Sequence, residues 1–204
     1  MKKIIIIAPW SSGSTAVAGW MQRLGASTCP PHQLTNDPLT PDSHEPKALR
    51  DQLIHYHFES SLTPTGRDLN QFYMWFDRWI KNEERLSDDR KTNILVIKHA
   101  LLAFHIKRLS ELDDFVFCLI TRPLERIEST RKRRGWHPVY GAAGAKKIYS
   151  IALNTFIQLS LPFETIAFHH FCKNENYRQE LAKKLGLLYR KPFIDTANSW
   201  LRVN

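Results

Sequence analysis

Cysteine is scarce in this chain of 204 residues: Cys29, Cys118 and Cys172 are the full complement. They are odd in number, far apart and in no metal-ligand spacing. That argues against a disulfide framework or a cysteine-built zinc site, and fits reduced, mostly buried thiols and a cytoplasmic location. Long apolar runs are missing too. No stretch approaches the roughly 20 apolar residues of a membrane span, so none is expected. Lys2-Lys3 before an isoleucine run looks superficially like a secretory leader. Its apolar core is too short, so it is read as the first strand of the mature protein. Acid is in deficit: 20 Asp and Glu against 29 Lys and Arg, a formal charge of +9. Such a surplus favours an anionic partner, whether nucleotide, nucleic acid, acidic polymer or anionic membrane surface. There is no internal repeat and no low-complexity segment. The length suits one domain, residues 1–204, large enough to bury a core.

What the chain does have is organised around its opening stretch. Ile4-Ile5-Ile6-Ile7 is a β-branched run, expected as a strand of a parallel sheet buried on both faces. Pro9-Trp10-Ser11-Ser12-Gly13-Ser14-Thr15 follows as a small, polar loop. A helix should come next, capped by Ser14 or Thr15 and ended by Gly25. Strand, loop and helix N-terminus together aim backbone N–H groups at one anion. The nucleoside-triphosphate version of this loop needs a Gly-Lys pair. This loop has none and holds no basic residue.

Further along, Cys29 to Pro46 is rich in Pro, Asn, Asp, Ser and Thr and reads as a long irregular loop. Asp37, His44 and Glu45 on it are candidates for a pocket wall. Helical spacing runs from Lys47 to Glu59. A second helix, Asp68 to Glu84, carries Phe72, Tyr73, Trp75, Phe76 and Trp79, which suits core packing or an acceptor-pocket wall. Asn93–Ile97 reads as a strand ending in Lys98-His99, and Ala100–Leu112 as a helix. Phe115–Ile120 is a strand ending in Thr121-Arg122-Pro123, followed by a basic helix to about Arg134. Tyr140–Leu161 is a long helix, Thr165–Phe168 a short strand, and Tyr177–Leu185 a helix stopped by Gly186. The tail carries Pro192-Phe193-Ile194. This alternation predicts an open parallel α/β sheet with right-handed crossovers, whose ligands sit at the carboxyl ends of its strands.

Three strand ends therefore matter. The first offers amides and hydroxyls. The second offers a cation, Lys98, beside a titratable imidazole, His99. The third offers Arg122 with Ser129, and Arg126, Arg131, Lys132, Arg133 and Arg134 nearby. At helical spacing Arg122, Arg126 and Ser129 share a face, which suits a second phosphate site, since arginine binds phosphate bidentately. The Arg131–Arg134 run reads mostly as a solvated face, with one or two members reaching a nucleotide.

In these features the chain resembles the sulfotransferase family, whose donor is 3′-phosphoadenosine 5′-phosphosulfate. Trp10-Ser11-Ser12-Gly13-Ser14-Thr15 is similar to the family's Pro-Lys-Ser-Gly-Thr-Thr loop, which cradles the 5′-phosphosulfate. Pro123 and Ser129 have the spacing of its Arg-x-Pro…Ser element, which grips the 3′-phosphate. Ile97-Lys98-His99-Ala100-Leu101-Leu102 looks like its Lys-Thr-His-Leu-Pro element, one residue shorter, whose His is the general base. A short strand, polar turn and helix ending Leu185-Gly186-Leu187 is similar to the family's later part. The resemblance covers nearly the whole chain. It implies a three-layer α/β sandwich with a central parallel sheet of P-loop NTPase-like topology. It also implies in-line transfer of a sulfuryl group to a hydroxyl or amine of a small-molecule or glycan acceptor. Ser11, Ser12, Gly13, Ser14, Thr15, Arg122 and Ser129 would bind the donor, His99 would take the acceptor proton, and Lys98 would neutralise developing charge.

Three departures stand out. Ser11 occupies the place of the family's loop lysine, leaving Lys98 to supply that charge. Arg122 directly precedes Pro123, and the Lys-His element is short. Gly141, Gly144 and Lys147 mimic a Gly-x-x-Gly-x-x-Lys nucleotide-contact motif of the family, but mid-chain, where chance accounts for it. The scheme requires no metal. His169-His170 and His55-x-His57 lack a third ligand. Two alternatives remain: a non-catalytic nucleotide or polyanion binder on the same fold, and, further off, a small-molecule kinase, which would need a loop lysine and an acidic magnesium ligand. Nucleic acid is disfavoured as a partner, because the basic residues cluster on one short helix without a recognition module.

Overall fold

The computed structural model describes residues 1–38, 40–89 and 91–203, with Arg202 and Val203 as backbone only. Strand β1 (Lys2–Ile7) leads into helix α1 (Ser14–Arg23). A hairpin, β2 (His32–Leu34) and β3 (Asp42–Pro46), runs directly into α2 (Lys47–Tyr56). A two-residue ladder, β4 (His57–Phe58) with β5 (Thr63–Pro64), precedes α3 (Leu69–Asp89). Strand β6 (Ile94–Lys98) passes into a 3-10 helix (Ala100–His105) and then α4 (Ile106–Leu112). Strand β7 (Phe115–Thr121), α5 (Leu124–Arg133), a 3-10 turn (Pro138–Tyr140) and α6 (Ala142–Gln158) follow. The chain ends with β8 (Phe163–Ala167), α7 (Phe168–Lys173), α8 (Glu175–Leu185) and α9 (Lys191–Val203).

Four strands form one parallel sheet in the order β6-β1-β7-β8. Alternate residues of each strand face opposite sides, and both sides are apolar. Ile5, Ile7, Leu95, Ile97, Phe117 and Leu119 pack against α2, α3, α4, α6 and the first 3-10 helix. Ile4, Ile6, Val96, Cys118, Ile120 and Ile166 pack against α1, α7, α8 and α9. The result is the expected α/β sandwich, a parallel sheet between two helical layers. Among the described residues no helix is long and apolar enough to cross a membrane.

The chain leaves β1 for β6 on one side and returns to β7 on the other. At the carboxyl end of β1 the order reverses, which opens a crevice there. Register sets the depth of that end: Ile6 lies beside Lys98 and Ile7 beside Leu119.

Several expectations need correction. The segment from Cys29 to Pro46 is not an irregular loop throughout; its ends pair as the antiparallel hairpin β2–β3. Its strands are too short and polar to show period-two alternation. The helix expected over Ala100–Leu112 starts as a 3-10 helix, because the His99 ring accepts the Leu101 N–H and tightens the first turn. Helix α1 is capped by Gly13 at φ +94°, with Ser14 and Thr15 already inside it. Helix α3 runs past Glu84 to Asp89. Helix α9 was missed at the tail. Pro192 sits in its first turn, a helix-starting position, and Phe193, Ala197, Trp200 and Leu201 recur at helical spacing. Ala197 is fully buried, and the Trp200 indole donates to the Ala16 carbonyl of α1 (3.2 Å).

Candidate active site

The loop from Pro9 to Gly13 leaves β1 under tension. Ser11 has a left-handed backbone, φ 60°, and Gly13 is at φ +94°. A side chain at Gly13 would also meet the Phe168 ring, 2.4 Å from the ideal Cβ position. Glycine is therefore required twice over at this position. The hydroxyls of Ser11 and Ser12 are buried and have no protein hydrogen-bond partner. The first turn of α1 contains no acid, so its dipole is left to an incoming anion.

A cavity of about 290 Å³ opens beside this loop. Gly13, Ser14, Thr15 and Ala16 form one wall, and Arg122, Thr130, Arg133, Arg134 and Phe168 the other. Arg122 lies ahead of Pro123, the residue that caps α5, so helical spacing does not apply to it. Its side chain turns back across the sheet end. Nη1 donates to the Ser11 carbonyl (2.8 Å) and to Thr130 Oγ1 (3.2 Å). Its guanidinium lies over the Phe168 ring, 5.2 Å from the centroid. Ser129 is exposed and does not line this cavity; Thr130, one residue on, takes the place expected of it. Counting from Arg122 along a helix pointed to Ser129; the true helix start at Leu124 rotates Thr130 toward the arginine instead. Arg133 and Arg134 are the members of the basic run that reach the site. A third cavity, about 800 Å³, adjoins through Arg122 and Phe168 and is lined by Arg126, His169 and His170.

On the other side of the loop lies the larger of the two cavities that the loop itself borders, about 510 Å³. Ser11, Ser14, Thr15, Thr40 and Arg134 belong to both it and the cationic cavity, so the two meet at the loop. Glu45 and Lys98 stand on its floor. The Lys98 ammonium donates to the Ser43 carbonyl (2.7 Å) and to Thr15 Oγ1 (3.3 Å), and lies 3.3 Å from Glu45 Oε1. Burial lowers the Lys98 pKa, with Glu45 opposing that shift. Burial also works to raise the Glu45 pKa, but its neighbours, Lys98 foremost, outweigh it and hold the carboxyl below its usual range. Glu45 is thus an ionised carboxylate facing the cavity.

His99 does not line that cavity; its side chain is fully buried behind Glu45. Nδ1 accepts the Leu101 N–H (3.2 Å), so the proton of the neutral ring sits on Nε2, 3.9 Å from Glu45 Oε2. Burial lowers the His99 pKa and keeps the ring neutral. Its one lone pair is already engaged, which leaves it no means of accepting a proton from a ligand. Of the three pocket-wall candidates on the hairpin, Glu45 lines the cavity. Asp37 instead pairs with Arg134 (2.6 Å) and Arg133 (3.2 Å), and His44 packs between Gly19 and Trp200. The aromatic residues of α3 line none of these cavities, and Phe72 and Phe76 are core. The wall is built by Trp10, Trp136 and Tyr140, whose role sequence reasoning missed. A turn signal, Gly135-Trp136-His137-Pro138, marked that segment only as a helix stop.

Among the described residues His32, Asp42 and His44 bring ligating atoms within 4.8 Å of one another. His32 Nδ1 pairs with Asp42 (2.8 Å), and none of the three lines a cavity described above. No family model, curated protein or solved structure matches the chain.

Proposed function

We propose that this protein is a sulfotransferase that moves a sulfuryl group from 3′-phosphoadenosine 5′-phosphosulfate to a hydroxyl or amine held in the larger cavity. One observation carries this reading. A cationic cavity and a cavity with an ionised carboxylate meet at a single loop, with Lys98 and Thr15 at the junction. The reversal of strand order at β1 supports the finer description of the sheet as P-loop NTPase-like.

The donor fits what the residues offer. The orphaned Ser11 hydroxyl and the α1 amides suit a phosphosulfate, whereas Ser12, fully buried, lines none of the cavities and is left out of the donor set. Arg122, Thr130, Arg133 and Arg134 suit a further phosphate. When bound, the donor supplies the sulfuryl group and a phosphate leaving group. Glu45 accepts the proton as the acceptor oxygen or nitrogen bonds to sulfur. The bridging sulfur–oxygen bond breaks, and its electron pair stays on the phosphate oxygen. The loop amides, with Lys98 reaching them through Thr15, would neutralise that charge. In this scheme Lys98 replaces the cation that the loop lacks. His99 becomes a positioning residue, its Nε2 lying 3.9 Å behind the carboxylate that does the proton transfer.

Thermal denaturation with 3′-phosphoadenosine 5′-phosphate, against ATP plus magnesium, tests donor binding. Stabilisation by the former is expected; stabilisation by ATP alone would overturn the reading. Glu45→Gln should lower the transfer rate by roughly 10²-fold or more while leaving binding of the bisphosphate intact. Full activity in that variant would remove Glu45 as the base.

A further inference from the structure

Three rings gather at one end of the larger cavity. Trp10 meets Tyr140 edge to face at 4.9 Å, and Trp136 meets Tyr140 likewise at 5.9 Å. All three expose surface to the cavity. Aliphatic surface is nearly absent: among the described residues lining it, Leu34 is the one aliphatic side chain. A sterol or acyl chain would find no oily wall there.

The charges are balanced. Each described lysine and arginine lining the cavity already has a carboxylate: Lys98 with Glu45 at 3.3 Å, Arg50 with Glu59 at 3.2 Å, and Arg134 with Asp37 at 2.6 Å. An anionic ligand would compete with these carboxylates for their partners, whereas a neutral one leaves every pair intact. Glu59 also accepts from the Tyr140 hydroxyl (3.2 Å), which fixes the ring's edge. Burial, then Glu59, pushes the Tyr140 hydroxyl up to about 12, so it stays a donor. The remaining polar lining is amide and hydroxyl, including Gln33, Asn36 and Thr35, together with the His137 imidazole, whose Nδ1 accepts the Val139 N–H (3.3 Å). Aromatic faces beside uncharged and internally paired polar groups match a molecule with an apolar ring face and a rim of hydroxyls.

We infer that the larger cavity binds a neutral saccharide, its ring face laid on the Trp10–Trp136–Tyr140 cluster, and that it turns away sugars bearing carboxylate or sulfate. As the acceptor of a transfer this rests on the function proposed above; as a binding site it rests on the cavity alone. A volume of about 510 Å³ is within the range for a small bound ligand.

Binding without donor is the test, followed by tryptophan fluorescence and calorimetry. The probes are lactose, maltose and chitobiose, an unsulfated chondroitin disaccharide, and 2-naphthol. At least one neutral disaccharide should saturate and shift the emission, and the other two classes should bind more weakly. Trp136→Ala should weaken saccharide binding about tenfold or more. Glu59→Gln, which frees Arg50, should raise affinity for the chondroitin disaccharide about tenfold. A preference for 2-naphthol or for the uronate disaccharide in the unmodified protein would overturn the inference, as would failure of all three neutral disaccharides. Titration of 3′-phosphoadenosine 5′-phosphate on the same samples keeps the two readings apart. Saccharide failure with intact bisphosphate binding overturns only this inference; the reverse pattern overturns only the transfer reading.

Discussion

His105 is a buried base with a measurable cost. It is 1 % exposed and takes a hydrogen bond on Nδ1 from the Tyr73 hydroxyl (3.0 Å). Phe72 from α3, His57 from β4 and the buried His99 complete its surroundings, with Arg108 over the Tyr73 ring. Burial first, then His57 and His99, lower its pKa to about 3. The sign follows from comparing the two states. The unfolded chain takes a proton near 6.5, and the folded chain does not until about 3. Stability is therefore whole above 6.5 and declines between 6.5 and 3, by up to about 1.4 kcal/mol per pH unit from this residue. Urea midpoints at pH 7 and pH 5 should show a smaller loss in His105→Leu than in the unmodified protein. An equal loss in both would show that His105 does not drive the decline. The same reasoning at residue level separates what could be read in advance from what could not. Lys98 and Arg122 were legible because strand ends in a parallel sheet converge. Glu45 was named only as a pocket-wall candidate, and its contact with Lys98 across 53 positions leaves no periodic trace in the sequence. Thr130 was lost by one residue, because a helix boundary cannot be placed that finely from pattern alone.

Among the elements, the β1–α1 junction is the most constrained. Gly13 holds a left-handed φ and lies directly beneath Phe168. Gly13→Ala should cost at least about 2 kcal/mol, from backbone strain and the displaced ring together. Adding Phe168→Ala relieves the contact and leaves the strain, so the double variant should recover only part of the loss in chemical denaturation. Full recovery would mean the backbone conformation costs nothing. Strands β1, β6 and β7 were legible because burial on both faces demands continuous β-branched and aromatic residues. The β2–β3 hairpin was not, while α9 leaves a trace in Pro192 and the helical spacing of Phe193, Ala197, Trp200 and Leu201. Hairpin strands of only three and five residues, mostly polar, carry no alternation, and α9 owes its place to Ala197 and Trp200 docking on α1.

At the scale of the whole molecule, the surplus of +9 is not spread evenly over function. Three arginines, Arg122, Arg133 and Arg134, line the smaller cavity against the single carboxylate of Asp37, which Arg133 and Arg134 share, while each lysine and arginine of the larger one has a carboxylate beside it. Donor and acceptor binding should therefore respond differently to salt. Affinity for 3′-phosphoadenosine 5′-phosphate should fall several-fold as ionic strength rises from roughly 0.05 M to 0.5 M, where the Debye length shortens below the cavity's dimensions. Neutral saccharide affinity should stay nearly flat over the same range. Calorimetry at the two salt levels checks both, and a salt-insensitive bisphosphate would show that these arginines do not hold it. The layered sandwich itself was legible from the strand and helix alternation; the division of its crevice into two electrically unlike chambers was not, since it depends on which charges meet after folding.

The clasp of Asp37 on Arg133 and Arg134 has a further consequence. Asp37 is an internal anion, lent by the hairpin to the same arginines that face the smaller cavity. A phosphate arriving there competes with Asp37 for its partners. Each phosphate bound loosens the hairpin, and each loosening frees arginine for phosphate, because coupling between two sites is reciprocal. That hairpin also carries Gln33, Ser43 and Glu45 of the larger cavity. The two chambers are thus linked through a tether that one of them can unlatch, so an anion in the smaller chamber is felt at the wall of the larger.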